Sequence, residues 1–240
     1  MKLIVKMQTY KHFRVANLLS LLLATLIAVV GTTPVLAQSG NPACGPLANG
    51  YGPYDARKDP DKLPIVLGAH FTPQVEMLIK ATTGYIGGDI DYTLRAIPNY
   101  HRALISMMKL GEREKQDKPS NMRYTVDCWF QRATTFAPDD AIVRMIYSTY
   151  LNSKGRVPDA NTQLEIATVH AKDNAFTHYN IGLHYFDLKN YDKALAEAHK
   201  AMELGFTRIE LREQLRSVGK WTDPVEASAA AASAPASAAK

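Results

Sequence analysis

Residues 175–202 read AFTHYNIGLHYFDLKNYDKALAEAHKAM, and this stretch decides the fold of the chain. We predict two helices here, with Asn190 and Tyr191 forming the turn between them. Gly182 and Ala194 fall where the two helices would cross. A larger side chain at either position would hold the two backbones too far apart. The stretch therefore predicts a helical hairpin.

A second unit of the same kind lies one period of about 34 residues upstream. Matching positions on its two helices hold Arg144, Tyr147, Ser148 and Leu151, then Ala160, Leu164 and Ala167. Lys154 and Gly155 fall where the turn belongs. The chain therefore repeats the hairpin at least once.

A third unit is indicated one period further back. Phe130, Ala133 and Pro138 match the second helix of such a unit. We place its first helix at 99–110, where apolar residues line one side of an amphipathic run. The connection at 111–119 is charged and longer than the turns of the other two units. This unit therefore departs from the pattern at its turn.

The spacing of these residues resembles the tetratricopeptide repeat (TPR) family. In the last unit the resemblance rests on His178, Ile181, Gly182, Tyr185, Ala194, Ala198 and Ala201. It implies an all-α fold, a TPR-like helical-hairpin solenoid of about three repeats at 99–222 that ends in a closing helix at 207–221. The segments CGPLANGYGPYD, GAHFTP and DYTLRAIPNYHRAL also resemble a group of exported proteobacterial repeat proteins of unassigned function.

Residues 1–37 resemble a cleaved export signal. Four basic side chains precede an apolar run at 15–30, and small residues at 33–37 suit a signal peptidase. We therefore expect a periplasmic or secreted protein, with an uncleaved anchor as the alternative.

The formal net charge of +5 includes those four cations, so the chain without its leader is close to neutral. Nucleic-acid binding is not indicated, and without a second strongly apolar segment an integral membrane protein is not expected after cleavage.

The chain has two cysteines, Cys44 and Cys128. An even number of cysteines in an oxidising compartment favours a disulfide between them. The alternatives are two buried free thiols or a metal or redox site, although neither cysteine has a second one nearby. A disulfide would fasten the N-terminal segment to the first repeat.

Residues 38–98 are predicted to form an extended strap that caps the exposed end of the solenoid. The first part is rich in Gly, Pro, Asp and Tyr and lacks a helical period. Thr72 and Pro73 indicate a helix start, whereas Gly87-Gly88-Asp89 indicates a break. At the other end, 223–240 is an Ala/Ser/Pro-rich tail that we expect to be disordered.

The same region holds a candidate chemical site, formed by His70, Asp89, Asp91 and His101. Histidines and carboxylates at close range could bind a metal or act as an acid–base pair. The spacing matches no established metal motif. The alternative is structural, with the aspartates capping a turn and the histidines packing against tyrosines. We predict no cofactor and no catalytic residues.

The first helices of the last two units are expected to line a concave binding groove. Its predicted residues are Ile142, Met145, Thr149, Asn152, Phe176, Tyr179, Leu183 and Asp187. This face is apolar and aromatic with few cations, so it should prefer an apolar peptide segment to an acidic tail.

The leading hypothesis is an exported scaffold for protein–protein interaction in cell-envelope assembly or maintenance. The alternative is an enzyme or metal-dependent sensor that uses the His/Asp site.

Overall fold

The structure is a computed structural model, and it describes residues 42–224. These residues form two single-turn 3-10 helices, at Pro42–Cys44 and Pro60–Lys62, and ten α-helices, without any strand. The α-helices are α1 Leu63–His70, α2 Pro73–Glu76, α3 Ile86–Ala96, α4 His101–Glu114, α5 Val126–Phe136, α6 Ala141–Ser153, α7 Val157–Ala171, α8 Ala175–Asp187, α9 Tyr191–Glu203 and α10 Glu210–Ser217. The predicted all-α fold is confirmed.

The last two predicted hairpins are present as α6 with α7 and α8 with α9. The helices of each pair pack along their lengths, and α8 also lies against α6 and α7. Leu164, Ile181 and Ala194 are completely buried between them. A Cβ on Gly182 would lie 3.3 Å from the Glu197 Cβ of the facing helix. Small residues therefore allow the close helix crossing, as the sequence indicated.

A buried polar contact that the sequence did not reveal joins three of these helices. His178 of α8 lies with Nδ1 2.6 Å from Glu197 Oε2 of α9 and with Nε2 2.6 Å from the Lys172 carbonyl oxygen. Thr168 of α7 donates a hydrogen bond of 2.8 Å to the same carboxylate. His178 occupies an aromatic position of the repeat pattern, and here it also supplies hydrogen bonds to fix the register of α8 on α9.

α10 closes the C-terminal end of the helical array. Leu211 and Leu215 are buried against α8 and α9. A Cβ on Gly182 would lie 2.5 Å from Leu211 Cδ2, so α10 sits directly on the helix crossing. The closing segment predicted at 207–221 is helical only from Glu210 to Ser217.

The first predicted unit is not a closed hairpin. α4 contacts α3 and α6 at least as extensively as it contacts α5. Lys115, in the left-handed conformation, ends α4, and Gln116 N–H then bonds to the Gly111 carbonyl oxygen. The chain returns to α5 only at Val126, whose N–H bonds to the Asp117 carbonyl oxygen. The long connection thus separates the two helices that a compact turn would hold together.

The predicted strap is extended only in part. Residues 45–59 have no regular secondary structure, whereas 63–96 fold into α1, α2 and α3. The break predicted at Gly87-Gly88-Asp89 is wrong, because α3 runs through all three residues. Gly87 is needed for close packing, since a Cβ there would lie 2.0 Å from the Ser120 carbonyl oxygen.

The predicted disulfide is present, with the sulfur atoms of Cys44 and Cys128 2.07 Å apart. Arg132 strengthens the same attachment: its buried Nη1 donates to the carbonyl oxygens of Cys44, at 2.9 Å, and Pro46, at 2.8 Å. The guanidinium also lies over the Tyr124 ring, 4.8 Å from its centroid. The strap is therefore fastened to α5 by a covalent bond and by a charged clamp.

The predicted leader at 1–37 and all but the first two residues of the tail at 223–240 lie outside the described residues. Among residues 42–224, none of the helices has the length and hydropathy needed to cross a membrane.

We expect Gly87→Ala to lower the free energy of unfolding by about 1–3 kcal/mol, because the new methyl group would overlap the Ser120 backbone. Gly88→Ala is the matched control. Its Cβ would enter open space, and alanine is up to about 1 kcal/mol better than glycine in a helix. Urea unfolding followed by circular dichroism measures both. Equal effects of the two substitutions would contradict the close contact at Gly87.

Candidate binding surface

The predicted groove lies on α6 and α8, and six of its eight residues remain accessible. Ile142 and Phe176 are 43% and 58% exposed, Thr149 and Asp187 are also exposed, and Asn152 and Leu183 are half-buried. Thr149 Oγ1 lies 3.4 Å from His184 Nδ1, so α6 and α8 form one continuous face. We call these six residues the groove surface.

The other two predicted groove residues, Met145 and Tyr179, are buried, and the structure corrects this part of the prediction. Met145 belongs to the core cluster that fills the space between the two hairpins. The Tyr179 ring packs against Phe206, with centroids 4.7 Å apart, and its hydroxyl donates to Glu210 Oε2 at 3.2 Å. Burial, followed by the contact with Glu210, raises the pKa of Tyr179. Helical periodicity placed Tyr179 on the groove side of α8, but it could not reveal that Phe206 and Glu210 of the C-terminal segment cover this side chain.

The groove surface presents little positive charge. Its six residues include one carboxylate, Asp187, and no lysine or arginine. His184, beside Thr149, is held neutral because burial lowers its pKa below the usual 6.5, an effect that outweighs the nearby Asp187 charge. Apolar contacts at Ile142 and Phe176 are therefore the main means by which this face can attract a ligand.

The alternative His/Asp site is divided between separate environments. His70 Nδ1 lies 3.1 Å from Asp89 Oδ1, and the Asp89 carboxylate also accepts hydrogen bonds from the backbone N–H groups of Thr82 and Thr83. Burial alone would raise the pKa of Asp89, but the hydrogen bond from the Thr83 hydroxyl, together with those from the Thr82 N–H, His70 and the Thr83 N–H, outweighs it and leaves the pKa below its usual value. The His70 ring stacks on Tyr92, with centroids 4.1 Å apart.

Asp91 and His101 take part in other contacts. Asp91 accepts hydrogen bonds of 2.9 Å from Arg95 Nε and 2.8 Å from the Arg123 N–H. His101 Nε2 lies 2.9 Å from Asp140 Oδ2. The described residues contain no group of three or more His, Cys, Asp or Glu side chains that could hold a metal ion. The four residues are therefore not brought into one site, and their arrangement gives no support to the enzyme or sensor alternative.

Asp140 is the centre of a buried network that sequence reasoning missed. Its Oδ1 accepts hydrogen bonds from the Ile142 and Val143 N–H groups and so caps α6. Its Oδ2 contacts Asn99 Nδ2 at 3.0 Å and Arg57 Nε at 3.3 Å, in addition to His101. Asp140 directly precedes α6, where aspartate is a preferred helix cap, and this was the available sequence signal.

Asn99 extends the Asp140 network to the strap. Its side-chain oxygen accepts the Ala56 N–H at 2.9 Å, and its Nδ2 also donates to Asp55 Oδ1 at 2.8 Å. Arg57 then pairs with Asp55 at 2.8 Å, and this hydrogen bond is the main reason why the pKa of Asp55 is strongly lowered. For Asp140, burial alone would raise the pKa, but the His101 contact and the capping N–H groups outweigh it and the pKa is lowered. The network thus links the strap, α4 and α6.

Searches of protein-family models, curated proteins and solved structures find no match to this chain.

We expect Asp140→Ala to destabilise the protein by about 3–5 kcal/mol, because it leaves His101 and Asn99 without their shared buried carboxylate and α6 without its cap, although Arg57 keeps its contact with Asp55. Asp139→Ala is the matched control. Asp139 is half exposed and, among residues 42–224, forms an ion pair only with Arg57, so its loss should cost less than about 1 kcal/mol. Urea unfolding of both variants measures the difference, and similar losses would refute a central role for Asp140.

The lowered pKa of His184 predicts a pH dependence with a definite sign. The unfolded chain takes up a proton at His184 near pH 6.5, before the folded protein does. The free energy of unfolding should therefore fall as the pH drops below about 6.5, and His184→Gln should lack that part of the fall. NMR titration of the His184 ring in the folded protein is the direct measurement. A midpoint at or above 6.5 would contradict the burial described here.

Proposed function

We propose that this chain is an interaction scaffold that holds an apolar segment of a partner protein on its groove surface. The observation that carries the proposal is the exposure of Ile142 and Phe176, which occupy equivalent positions one repeat apart on neighbouring helices. Neither side chain belongs to the core clusters of the described residues, although the Phe176 ring makes an edge contact with Phe206, with centroids 5.9 Å apart. Helical-repeat proteins use such faces to bind extended or helical segments.

The chemistry of the groove surface supports an apolar partner. A C-terminal carboxylate or an acidic tail requires lysine or arginine, and the six groove residues include neither. Asp187 would repel such a ligand, and the neutral His184 would not offset that repulsion. Burial of one large apolar side chain contributes about 1.5–3 kcal/mol, so two anchors can provide most of the affinity for a short peptide.

The compartment and process belong to the same proposal. The Cys44–Cys128 pair supports an oxidising environment, and the leader indicated at 1–37 supports export, together favouring the periplasm. The TPR resemblance and the absence of a complete catalytic motif in the sequence favour a scaffold over an enzyme. We therefore propose a role in assembly or maintenance of the cell envelope, with a protein partner and no cofactor.

Photo-crosslinking in the native host tests this function. A photoreactive amino acid at Phe176 should give a defined partner adduct, whereas the same group at Val169 of α7, which is 74% exposed, should not. Ile142→Asp should reduce the Phe176 adduct by about 10-fold or more, because it places a charge in the apolar contact. Circular dichroism verifies folding of each variant.

Two results would refute the proposal. One is an identical adduct pattern at Phe176 and Val169, which would indicate non-specific capture. The other is a Phe176 adduct that persists unchanged in the Ile142→Asp variant, which would show that the two positions do not share one ligand.

A further inference from the structure

A second exposed apolar surface lies on the segment between α2 and α3, outside the repeats. Met77, Ile79 and Tyr85 are 61%, 67% and 68% exposed. These three large side chains protrude within nine consecutive residues, whereas the neighbouring Val75 and Ile90 are completely buried. We call the segment 77–85 the apolar loop. Its exposed side chains contribute nothing to the core, so their exposure calls for another explanation.

The apolar loop is held rigidly in this outward position. Leu78 adopts a left-handed conformation, with φ of 58°, and its N–H bonds to the Val75 carbonyl oxygen at 2.9 Å. Arg113 of α4 donates to the Leu78 carbonyl oxygen at 2.7 Å. At the other end, Asp89 accepts the Thr82 N–H at 2.7 Å. The His70–Asp89 pair thus serves as part of the frame that fixes this loop.

Cations surround the apolar loop. Two shallow depressions, of about 400 and 370 Å³, flank it on the α4 side and on the α3 side. Their linings include four basic residues: Lys80, Arg102, Lys109 and Arg113. The same linings contain two carboxylates, Glu76, which pairs with Arg102, and Glu114, which accepts the Ser120 N–H, so the basic residues outnumber the acidic ones. The surroundings therefore carry an excess of positive charge.

We propose that the apolar loop and its four surrounding cations dock on the surface of an anionic lipid bilayer. Protruding Met and Ile side chains can enter the boundary between headgroups and acyl chains, and Tyr favours the headgroup level. Lysine and arginine near an anionic surface each contribute about a five-fold gain in affinity. Basic residues line both depressions beside this loop, whereas the groove surface has none, and this difference favours an anionic bilayer over an apolar peptide. This proposal uses different residues from the groove surface and stands independently of it.

The test must report on the loop itself, because the apolar run at 15–30 would also bind lipid. In the full chain, a single added cysteine at Met77 carries an environment-sensitive fluorophore, and a matched chain carries it at Val169. With phosphatidylglycerol vesicles containing brominated acyl chains, we expect blue-shifted emission and quenching at position 77 but not at 169. With phosphatidylcholine vesicles alone, quenching at position 77 should be weak.

Substitutions in the labelled chain separate the apolar and ionic contributions. Ile79→Asp should weaken lipid-dependent quenching by at least about 10-fold. Lys80→Gln combined with Lys109→Gln should weaken it by about 25-fold, and high salt should have a similar effect. The control, Lys172→Gln combined with Lys220→Gln, alters two exposed lysines elsewhere and should leave it unchanged.

Several results would overturn the proposal. These are no quenching at position 77 on anionic vesicles, equal quenching on both lipids, or quenching that survives Ile79→Asp. A further arm uses a synthetic amphipathic helix with a glutamate-rich polar face and no lipid. If only this peptide shifts the emission at position 77, the loop is a protein-docking surface and the membrane proposal is wrong.

Discussion

The arrangement of the N-terminal half depends on the hydrogen bonds and ion pairs of the Asp140 carboxylate. This carboxylate caps α6, receives His101 from α4 and meets Arg57 from the strap, while it is almost completely buried. A buried charge is tolerated only when it is paired and hydrogen-bonded, so all of these partners must be in place together. The strap, α4 and α6 are thereby held in one arrangement, although no two of them form a hairpin. The N-terminus of α6 is fixed in position by the same contacts.

The two attachments of the strap differ in chemistry and act on different helices. The Cys44–Cys128 bond and Arg132 hold its first residues on α5, whereas Asp55 and Arg57 hold its later part through the Asp140 network. The region that caps a solenoid normally shields the apolar face of the terminal hairpin. Here the first unit is open, and α1, α2 and α3 supply the packing that a compact second helix would have provided.

The repeat hairpins were predictable because their signal is local. The small size and the spacing of Gly182 and Ala194 indicate a helix crossing without any information about the rest of the chain, and the structure confirms this crossing. Contacts between segments that are far apart in sequence carry no such signal, which is why those of Asp140 with Asn99 and with Arg57 were missed. For the His/Asp site, closeness in sequence was misleading. Asp89 and Asp91 are close in sequence, but residues two apart on a helix do not face each other, so α3 directs them to different partners.

The sequence separation of these contacts also bears on the order in which the protein assembles. Each hairpin of α6 to α9 joins residues that are close along the chain, whereas the disulfide closes a span of 84 residues. Closing a long loop costs more entropy than closing a short one, and local contacts form faster. We therefore expect the hairpins to fold first and to present a finished surface to the strap. In that order, packing of the strap on the folded hairpins brings Cys44 next to Cys128 before the disulfide forms. Oxidation then stabilises an arrangement that non-covalent contacts have already produced.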